Sequence, residues 1–254
     1  MLSVVIPSYK DPLLRKTVES LLENAEGEIE IICVLDGYWC EPVDDPRVRV
    51  LHLGKNRGMR EAINAGVSIA RGEFLMRTDE HCMFGPGYDR ILTRDCAENW
   101  IMIPRRFKLD TDKWEVMDEE PNDYDKLIID KGHMKFSGLN WKSRAEERKD
   151  IMIDETMAFQ GSCWCMRRSW WDKVVVALET EGYGPLYGDS HEMSFKTWRA
   201  GGKLMVNKNT WYAHKHRKFK RTHNYGSAEA RPGWDYSLKL WMDDYLKIKK
   251  QWGI

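Results

Sequence analysis

The sequence has no apolar run approaching the ~18 residues that span a membrane, and Met1 leads directly into a strand-like segment without a secretory leader. Charge of one sign is not in excess: 40 Lys and Arg balance 40 Asp and Glu, so no overall field draws the chain to nucleic acid or anionic membranes. Six cysteines are scattered without a C-x-x-C pair, which is typical of reduced thiols. We therefore expect a soluble, cytoplasmic protein.

Two nucleotide-binding fingerprints are also missing. The sequence holds neither G-x-G-x-x-G nor G-x-x-x-x-G-K-[ST], which argues against dinucleotide oxidoreductases and P-loop enzymes. Tryptophan is abundant instead, and 12 such side chains must be buried or used in binding flat ligands. The length of 254 residues accommodates one α/β domain with both faces of its sheet covered.

The first 82 residues alternate between strand and helix patterns. Apolar, β-branched runs predict strands, and apolar residues at helical spacing predict helices, the first of them capped by Asp11. The predicted strands are residues 2–9, 29–35, 48–53 and 74–76, and the predicted helices follow Asp11 and cover residues 56–70. This alternation is typical of an α/β protein with right-handed crossovers and resembles a nucleotide-binding half.

The last of these strands ends in three side chains that can bind metal: Asp79, Glu80 and His81. In open α/β sheets the ligand crevice lies outside the carboxyl ends of the strands. The position therefore predicts a divalent cation that holds a phosphorylated ligand. The alternative at this stage is a polar turn on a solvated surface.

The remainder of the chain is less regular. We predict strands at residues 100–104, 158–168 and 203–206, a solvated charged loop at 110–130, a helix from Asp189 to the glycines at 201–202, and a closing helix near 241–247. Asp189 and Glu192 share one face at the helix start, where they either favour the helix dipole or grip a sugar hydroxyl. Residues 136–141 either touch an acceptor or are buried, and the Cys163–Cys165 pair lacks enough neighbouring ligands to predict a metal site.

A basic, aromatic stretch covers residues 211–221. It is interpreted as either a solvated face or a lid over phosphates. Because its cations alternate with His216 and Phe219, it is also compatible with a nucleic-acid backbone.

Several ordered motifs resemble the GT-A-fold nucleotide-sugar glycosyltransferases, and among them the polypeptide N-acetylgalactosaminyltransferases. The motifs are Val5-Ile6-Pro7-Ser8-Tyr9, Leu35-Asp36-Gly37, Asn56-x-Gly58, Asp79-Glu80-His81-Cys82, the segment from Gly188-Asp189 through Glu192 to Gly201-Gly202, His214-x-x-Arg217 and Trp241-Met242-Asp243-Asp244-Tyr245. The resemblance extends over nearly the whole chain. It implies a Rossmann-like GT-A domain with a mixed, mostly parallel sheet flanked by helices.

The resemblance also implies a division of labour within one domain, residues 1–254. Residues 1–82 would bind the nucleotide, and residues 83–254 would bind the acceptor and complete the metal site. Asp79, His81 and His214 would hold Mn2+ or Mg2+ on the diphosphate of a UDP-sugar, with His216 as a substitute for His214. The implied catalytic residues are Asp189, Glu192 and Arg217, and the implied donor-binding residues are Pro7, Tyr9, Asp36, Asn56, Arg57, Gly58, Asp79 and Glu80.

Departures from the family pattern leave the donated sugar open. Leu186-Tyr187 replaces Trp-Gly, Asp189 replaces a Glu, and Asn56 replaces a donor-contacting Arg for which Arg57 or Arg60 is a substitute. The resemblance implies retention of configuration, whereas an inverting enzyme would use Asp189 as base. We expect transfer to a hydroxyl of a peptide, glycan or modified nucleic acid. The alternatives are a nucleotide-sugar- or nucleic-acid-binding module without turnover and a transferase acting on hydroxylated nucleic acid bases.

Overall fold

The computed structural model describes residues 1–184, 187–219 and 227–254. The strands are β1 (Leu2–Ser8), β2 (Ile29–Asp36), β3 (Val48–Leu53), β4 (Phe74–Thr78), β5 (Cys82–Phe84), β6 (Trp100–Asp110), β7 (Glu115–Val116), β8 (Asp125–Asp130), β9 (Lys135–Asn140), β10 (Ile153–Glu155), β11 (Cys163–Arg167) and β12 (Lys203–Lys215). The helices are α1 (Leu14–Asn24), α2 (Met59–Ile69), α3 (Tyr88–Asp95), α4 (Lys142–Glu147), α5 (Arg168–Trp170), α6 (Asp189–Arg199) and α7 (Ser227–Gln251), with a π-helical turn at Trp171–Val175.

The main sheet has the strand order β10-β12-β6-β11-β4-β1-β2-β3, with β5 and β7 added beside β12 and β6. The neighbours β3, β2, β1 and β4 run parallel, as do β6 and β12, while β11 lies antiparallel between β4 and β6. The predicted mixed, mostly parallel sheet flanked by helices is therefore confirmed. A separate two-stranded sheet is formed by β8 and β9.

The central strands are buried on both faces, which explains why their residues are largely apolar. In β1, Val4 and Ile6 face a core shared with α1 and α3, whereas Val5 faces a core shared with α2, the π-helical turn and α6. A third core lies between β8, β9, α6 and α7. Several tryptophans fill these cores, and Trp164 stacks on Trp171 with ring centroids 5.7 Å apart.

Residues 110–130 form the predicted solvated loop only in part. Asp118, Glu119 and Glu120 are exposed, but the segment also contains β7 and all of β8, and Tyr124 and Leu127 are buried. Arg105 of β6 holds Asp123 in a two-bonded ion pair with both distances at 2.8 Å. Some of the charges that suggested a solvated loop therefore pair with a neighbouring strand, and Phe136 of β9 is buried.

Strand β12 is much longer than the predicted strand at residues 203–206. It continues through an irregularity between Asn207 and Trp211 and ends at Lys215. This extension carries His214 to the carboxyl end of β4. The closing helix is also longer than predicted, since α7 begins at Ser227.

Among the described residues, no helix is long and apolar enough to cross a membrane. The cytoplasmic location and the division into a nucleotide-binding and an acceptor-binding half remain predictions.

Candidate active site

Asp79, His81 and His214 converge at the carboxyl end of β4. Asp79 and His81 lie in the short connection between β4 and β5, and β12 pairs with β5 so that His214 lies opposite Cys82. His214 Nε2 is 3.0 Å from Asp79 Oδ2 and 3.2 Å from His81 Nε2, and the three ligand atoms lie within 4.8 Å of one another. Two segments 133 residues apart thus supply one cluster of metal-capable atoms.

A buried arginine holds the carboxylate of this cluster. Arg77 is 1% exposed, and its Nη2 donates to Asp79 Oδ1 at 2.5 Å. Burial acts to raise the pKa of Asp79, but the charge of Arg77 and the hydrogen bond to His214 outweigh it and place that pKa well below its usual range. Asp79 is therefore ionised, and its Oδ2 is left facing the two histidines.

A buried aspartate holds one of the histidines. Asp11 Oδ2 lies 3.1 Å from His81 Nδ1, while its Oδ1 accepts the backbone N–H of Leu13 at 2.9 Å. The structure thus gives Asp11 two contacts, where the sequence indicated only a helix cap. Sequence reasoning missed Asp11 as a neighbour of the cluster, because 70 residues separate it from His81. It also missed Arg77, although Arg77 is only two residues from Asp79.

Glu80 is not a member of the group of Asp79, His81 and His214, and it bonds the end of β1. Its carboxylate oxygens lie 3.0 and 3.2 Å from the backbone N–H donor of Tyr9. Burial, together with the nearby carboxylates of Asp11 and Asp79, raises the pKa of Glu80 to about 8. Asp11, Glu80 and His81 form a second group of close ligand atoms, although Asp11 is already engaged by His81 and Leu13.

Asp36 organises the loop that precedes α2. Its Oδ1 accepts the N–H of Arg57 at 2.6 Å, and its Oδ2 accepts the N–H of Gly58 at 2.8 Å. Asn56 turns back on the same strand end, with its Nδ2 3.4 Å from the carbonyl oxygen of Asp36. Because Gly58 has φ +91°, this residue adopts a backbone conformation that disfavours side chains. The carboxylate therefore fixes residues 56–58, and nucleotide binding by these residues stays a prediction.

The other predicted donor-binding residues lie at the end of β1. Pro7 is buried within the strand, while Tyr9 is half-buried just beyond it. The Tyr9 ring stands edge-on to Tyr38, with centroids 6.2 Å apart, and Tyr38 OH hydrogen-bonds Ser8 Oγ. Two phenol rings therefore line the same sheet edge as Asp36, and their contact with a base stays a prediction.

Glu192 lies inside a buried network of charges. Its Oε2 pairs with Arg60, and its Oε1 is 2.8 Å from Lys196 Nζ. Arg60 also donates to the carbonyl oxygens of Glu179 and Tyr187 at 2.5 and 2.7 Å. The side chains of Arg60 and Glu192 are 0% and 1% exposed, so protein groups rather than water compensate both charges.

Unlike Glu192, Asp189 has a carboxylate oxygen that can still accept a hydrogen bond. It is buried at the start of α6, and its Oδ2 has no hydrogen-bond partner among the residues that the structure describes. This carboxylate packs on Gly161, where an added Cβ would lie only 2.6 Å from Asp189 Oδ2. A catalytic role for either acid remains a prediction.

A cleft of about 1160 Å³ extends from His214 along β6 towards β9 and α4. Its wall is mostly polar or charged, and carboxylates on it pair with neighbouring cations. These pairs are Arg105–Asp123, Arg106–Asp125, Lys108–Glu119 and Lys149–Glu146. Arg217 is exposed at this cleft, in the turn after β12, whereas Lys220 and Arg221 of the predicted basic stretch lie outside the described residues, as does Leu186. His216 also lines the cleft but is not part of the close ligand group.

Solved structures share this fold. The crystal structure of GalNAc-T7 with UDP, GalNAc and Mn2+ matches with a TM-score of 0.76 at 19% identity, covering 96% of this chain and 49% of that one. Residues 1-349 of S. aureus TarS in complex with UDP-GlcNAc match with a TM-score of 0.58 at 12% identity, covering 89% of this chain and 61% of that one. These similarities confirm the predicted GT-A fold.

Curated sequences support the family resemblance. Polypeptide N-acetylgalactosaminyltransferase 3 of Mus musculus is 25% identical over 269 residues, which cover 97% of this chain and 42% of the relative. Probable N-acetylgalactosaminyltransferase 7 of Caenorhabditis elegans is 22% identical over 268 residues, covering 96% and 44%. This chain thus spans less than half the length of these relatives. The family model for glycosyl transferase family 2 matches residues 3–175, more than half of the sequence, and the chain therefore belongs to that family.

Proposed function

We propose that this chain transfers a sugar from a UDP-sugar to a hydroxyl acceptor and that the reaction depends on a divalent cation. The observation that carries the proposal is the cluster of Asp79, His81 and His214 at the carboxyl end of β4. Its support comes from similarity to N-acetylgalactosaminyltransferases and to a GalNAc-T7 structure that contains UDP, GalNAc and Mn2+.

The chemistry of the three ligands fits Mn2+ better than Mg2+. One carboxylate oxygen and two imidazole nitrogens form a mixed donor set, whereas Mg2+ favours oxygen donors almost entirely. The side chain of Asp79 remains 23% exposed, so a ligand can reach the carboxylate. When bound, the ion supplies positive charge that neutralises the diphosphate leaving group.

The residues around the cluster would place the donor. Asp36 holds the backbone of Arg57 and Gly58 at the start of α2, which presents a helix N-terminus at the same sheet edge. Tyr9 and Tyr38 would contact the base through their rings. Arg217, exposed beyond β12, would hold a phosphate oxygen without losing much hydration.

The cleft beside His214 is the proposed acceptor site, since it opens next to the metal ligands and exceeds the size of a single sugar. Its polar wall favours a hydrophilic acceptor. Asp189 would accept a hydrogen bond from a sugar hydroxyl through its unpartnered Oδ2. The proposed stereochemical course is retention, as the family resemblance implies, and NMR of the first-formed product would distinguish it from inversion with Asp189 as base.

The test is transfer and hydrolysis of a panel of UDP-sugars in the presence and absence of Mn2+. His214→Ala should abolish turnover of the donor. His133→Ala is the matched control, because it removes an exposed imidazole that belongs neither to the ligand group nor to the cleft. Equal turnover in both variants, or turnover that continues after chelation of the metal, would contradict the proposal. A module that only binds ligands would show donor binding without turnover.

A further inference from the structure

We propose that Asp11 is a positioning residue that sets the tautomer and rotamer of His81 for metal binding. The inference rests on the proposed function, because it assumes that His81 is a metal ligand. Asp11 Oδ2 lies 3.1 Å from His81 Nδ1, on the side of the ring opposite Nε2. Nε2 is the atom that faces His214 at 3.2 Å and Asp79 Oδ2 at 3.8 Å.

The two ring nitrogens of His81 therefore have different partners. A carboxylate can only accept, so it favours the tautomer in which Nδ1 carries the proton. In that tautomer Nε2 carries a lone pair directed at the cluster, which is the form that a metal requires. The negative charge of Asp11 also makes the imidazole a stronger donor to a cation.

Both members of the pair are held by the backbone around them. Asp11 is buried, its Oδ1 accepts the N–H of Leu13, and its carbonyl accepts the N–H of Leu14 at the start of α1. On the other side, the carbonyl of His81 accepts the N–H of Lys215 at 3.1 Å, which ties it to β12. The α1 start and β12 thus hold the carboxylate and the imidazole in fixed relation, with His214 in the adjacent position of β12.

A purely structural role for Asp11 makes a different prediction from a positioning role. As a turn residue, Asp11 needs only an acceptor that reaches the N–H of Leu13, two residues along the chain. Serine supplies such an acceptor but is too short to bond His81 as well. Asp11→Ser therefore separates the two roles, and Asp11→Asn keeps an acceptor for His81 without its charge.

The experiment measures Mn2+ binding to the donor-free protein by electron paramagnetic resonance, with thermal unfolding of the metal-free protein alongside. We expect Mn2+ affinity to fall about 10–100-fold in Asp11→Ser, as is usual when a carboxylate behind a histidine ligand is removed, and by less in Asp11→Asn. The unfolding temperature should change little in both. Asp130→Ala is the matched control, since Asp130 also bonds a histidine, His133, at 2.9 Å, but on the exposed surface.

A second readout needs no metal. Nitrogen-15 NMR of the imidazoles should show His81 with its proton on Nδ1 in the wild-type protein and a shift towards the other tautomer in Asp11→Ser. Wild-type Mn2+ affinity and an unchanged His81 tautomer in folded Asp11→Ser would overturn the inference while leaving the proposed function intact. A wild-type protein that binds no Mn2+ would contradict both.

Discussion

Replacing Glu192 by glutamine removes one charge from the ion pair of Arg60 and Glu192, whose side chains are 0% and 1% exposed. Arg60 would keep its bonds to the carbonyl oxygens of Glu179 and Tyr187 but lose the carboxylate that neutralises its guanidinium. Breaking a buried pair in this way costs about 3–5 kcal/mol. Because two carbonyl bonds remain, we expect about 3 kcal/mol, the lower end of that range. In a chain of this size such a loss lowers the unfolding temperature by about 6–12 °C.

The assay is a double-mutant cycle followed by thermal or urea unfolding. Glu192→Gln and Arg60→Met should each destabilise the protein, and the double variant should cost less than the sum, because neither charge is then left unpaired. Glu115→Gln is the surface control, since the side chains of Lys113 and Glu115 are 69% and 59% exposed. It should change stability by less than about 0.5 kcal/mol. If Glu192→Gln abolishes transfer while stability is unchanged, Glu192 acts on the substrate and the structural reasoning is wrong.

Two further variants test a histidine of α6 and the position of the Asp189 carboxylate. Burial lowers the pKa of His191 from 6.5 to about 4, so its contribution is intact above pH 6.5 and stability falls by up to about 3 kcal/mol as pH drops towards 4. His191→Phe, which suits the rings of Phe136 and Tyr187, should therefore lose less stability between pH 7 and pH 4.5 than the wild type, and equal losses in unfolding scans would refute this. Gly161→Ala would place a Cβ 2.6 Å from Asp189 Oδ2, so we expect at least a tenfold loss of transfer with the fold retained; unchanged kcat/KM would show that the Asp189 carboxylate does not need that position.

The strands and helices of residues 1–82 could be predicted from the sequence, because each depends on the pattern of apolar residues within its own segment. Burial on both faces makes β1 and β2 mostly apolar, and the apolar residues of the neighbouring helices have ordinary helical spacing. The four predicted strands and two helices of that region are confirmed as β1 to β4, α1 and α2.

What could not be read depended on pairing between distant segments. His214 approaches Asp79 and His81 only because β12 continues past its irregularity and pairs with β5. The residues of β12 do not by themselves indicate which strand they pair with or in which register. The same holds for Asp11 behind His81, which is 70 residues away along the chain. Only the family resemblance linked Asp79, His81 and His214 in advance.

The charged segment misled for a related reason. Carboxylates at 118–125 are typical of a solvated loop when considered alone, yet Asp123 and Asp125 meet Arg105 and Arg106 of β6. In the sequence alone, a charged residue of a buried or half-buried ion pair cannot be distinguished from a charged residue on the surface. The same ambiguity applied to Glu192, whose sequence position indicated either a favourable charge at the helix start or a sugar contact. Its side chain pairs with Arg60 in the structure, and its catalytic role stays a prediction.

The most direct test of the metal site is a crystal structure of the protein with UDP and Mn2+ bound. The proposal predicts one ion bonded to Asp79 Oδ2, His81 Nε2 and His214 Nε2, with the diphosphate of UDP on the same ion. An ion and diphosphate bound elsewhere, with these three side chains left uncoordinated, would contradict it.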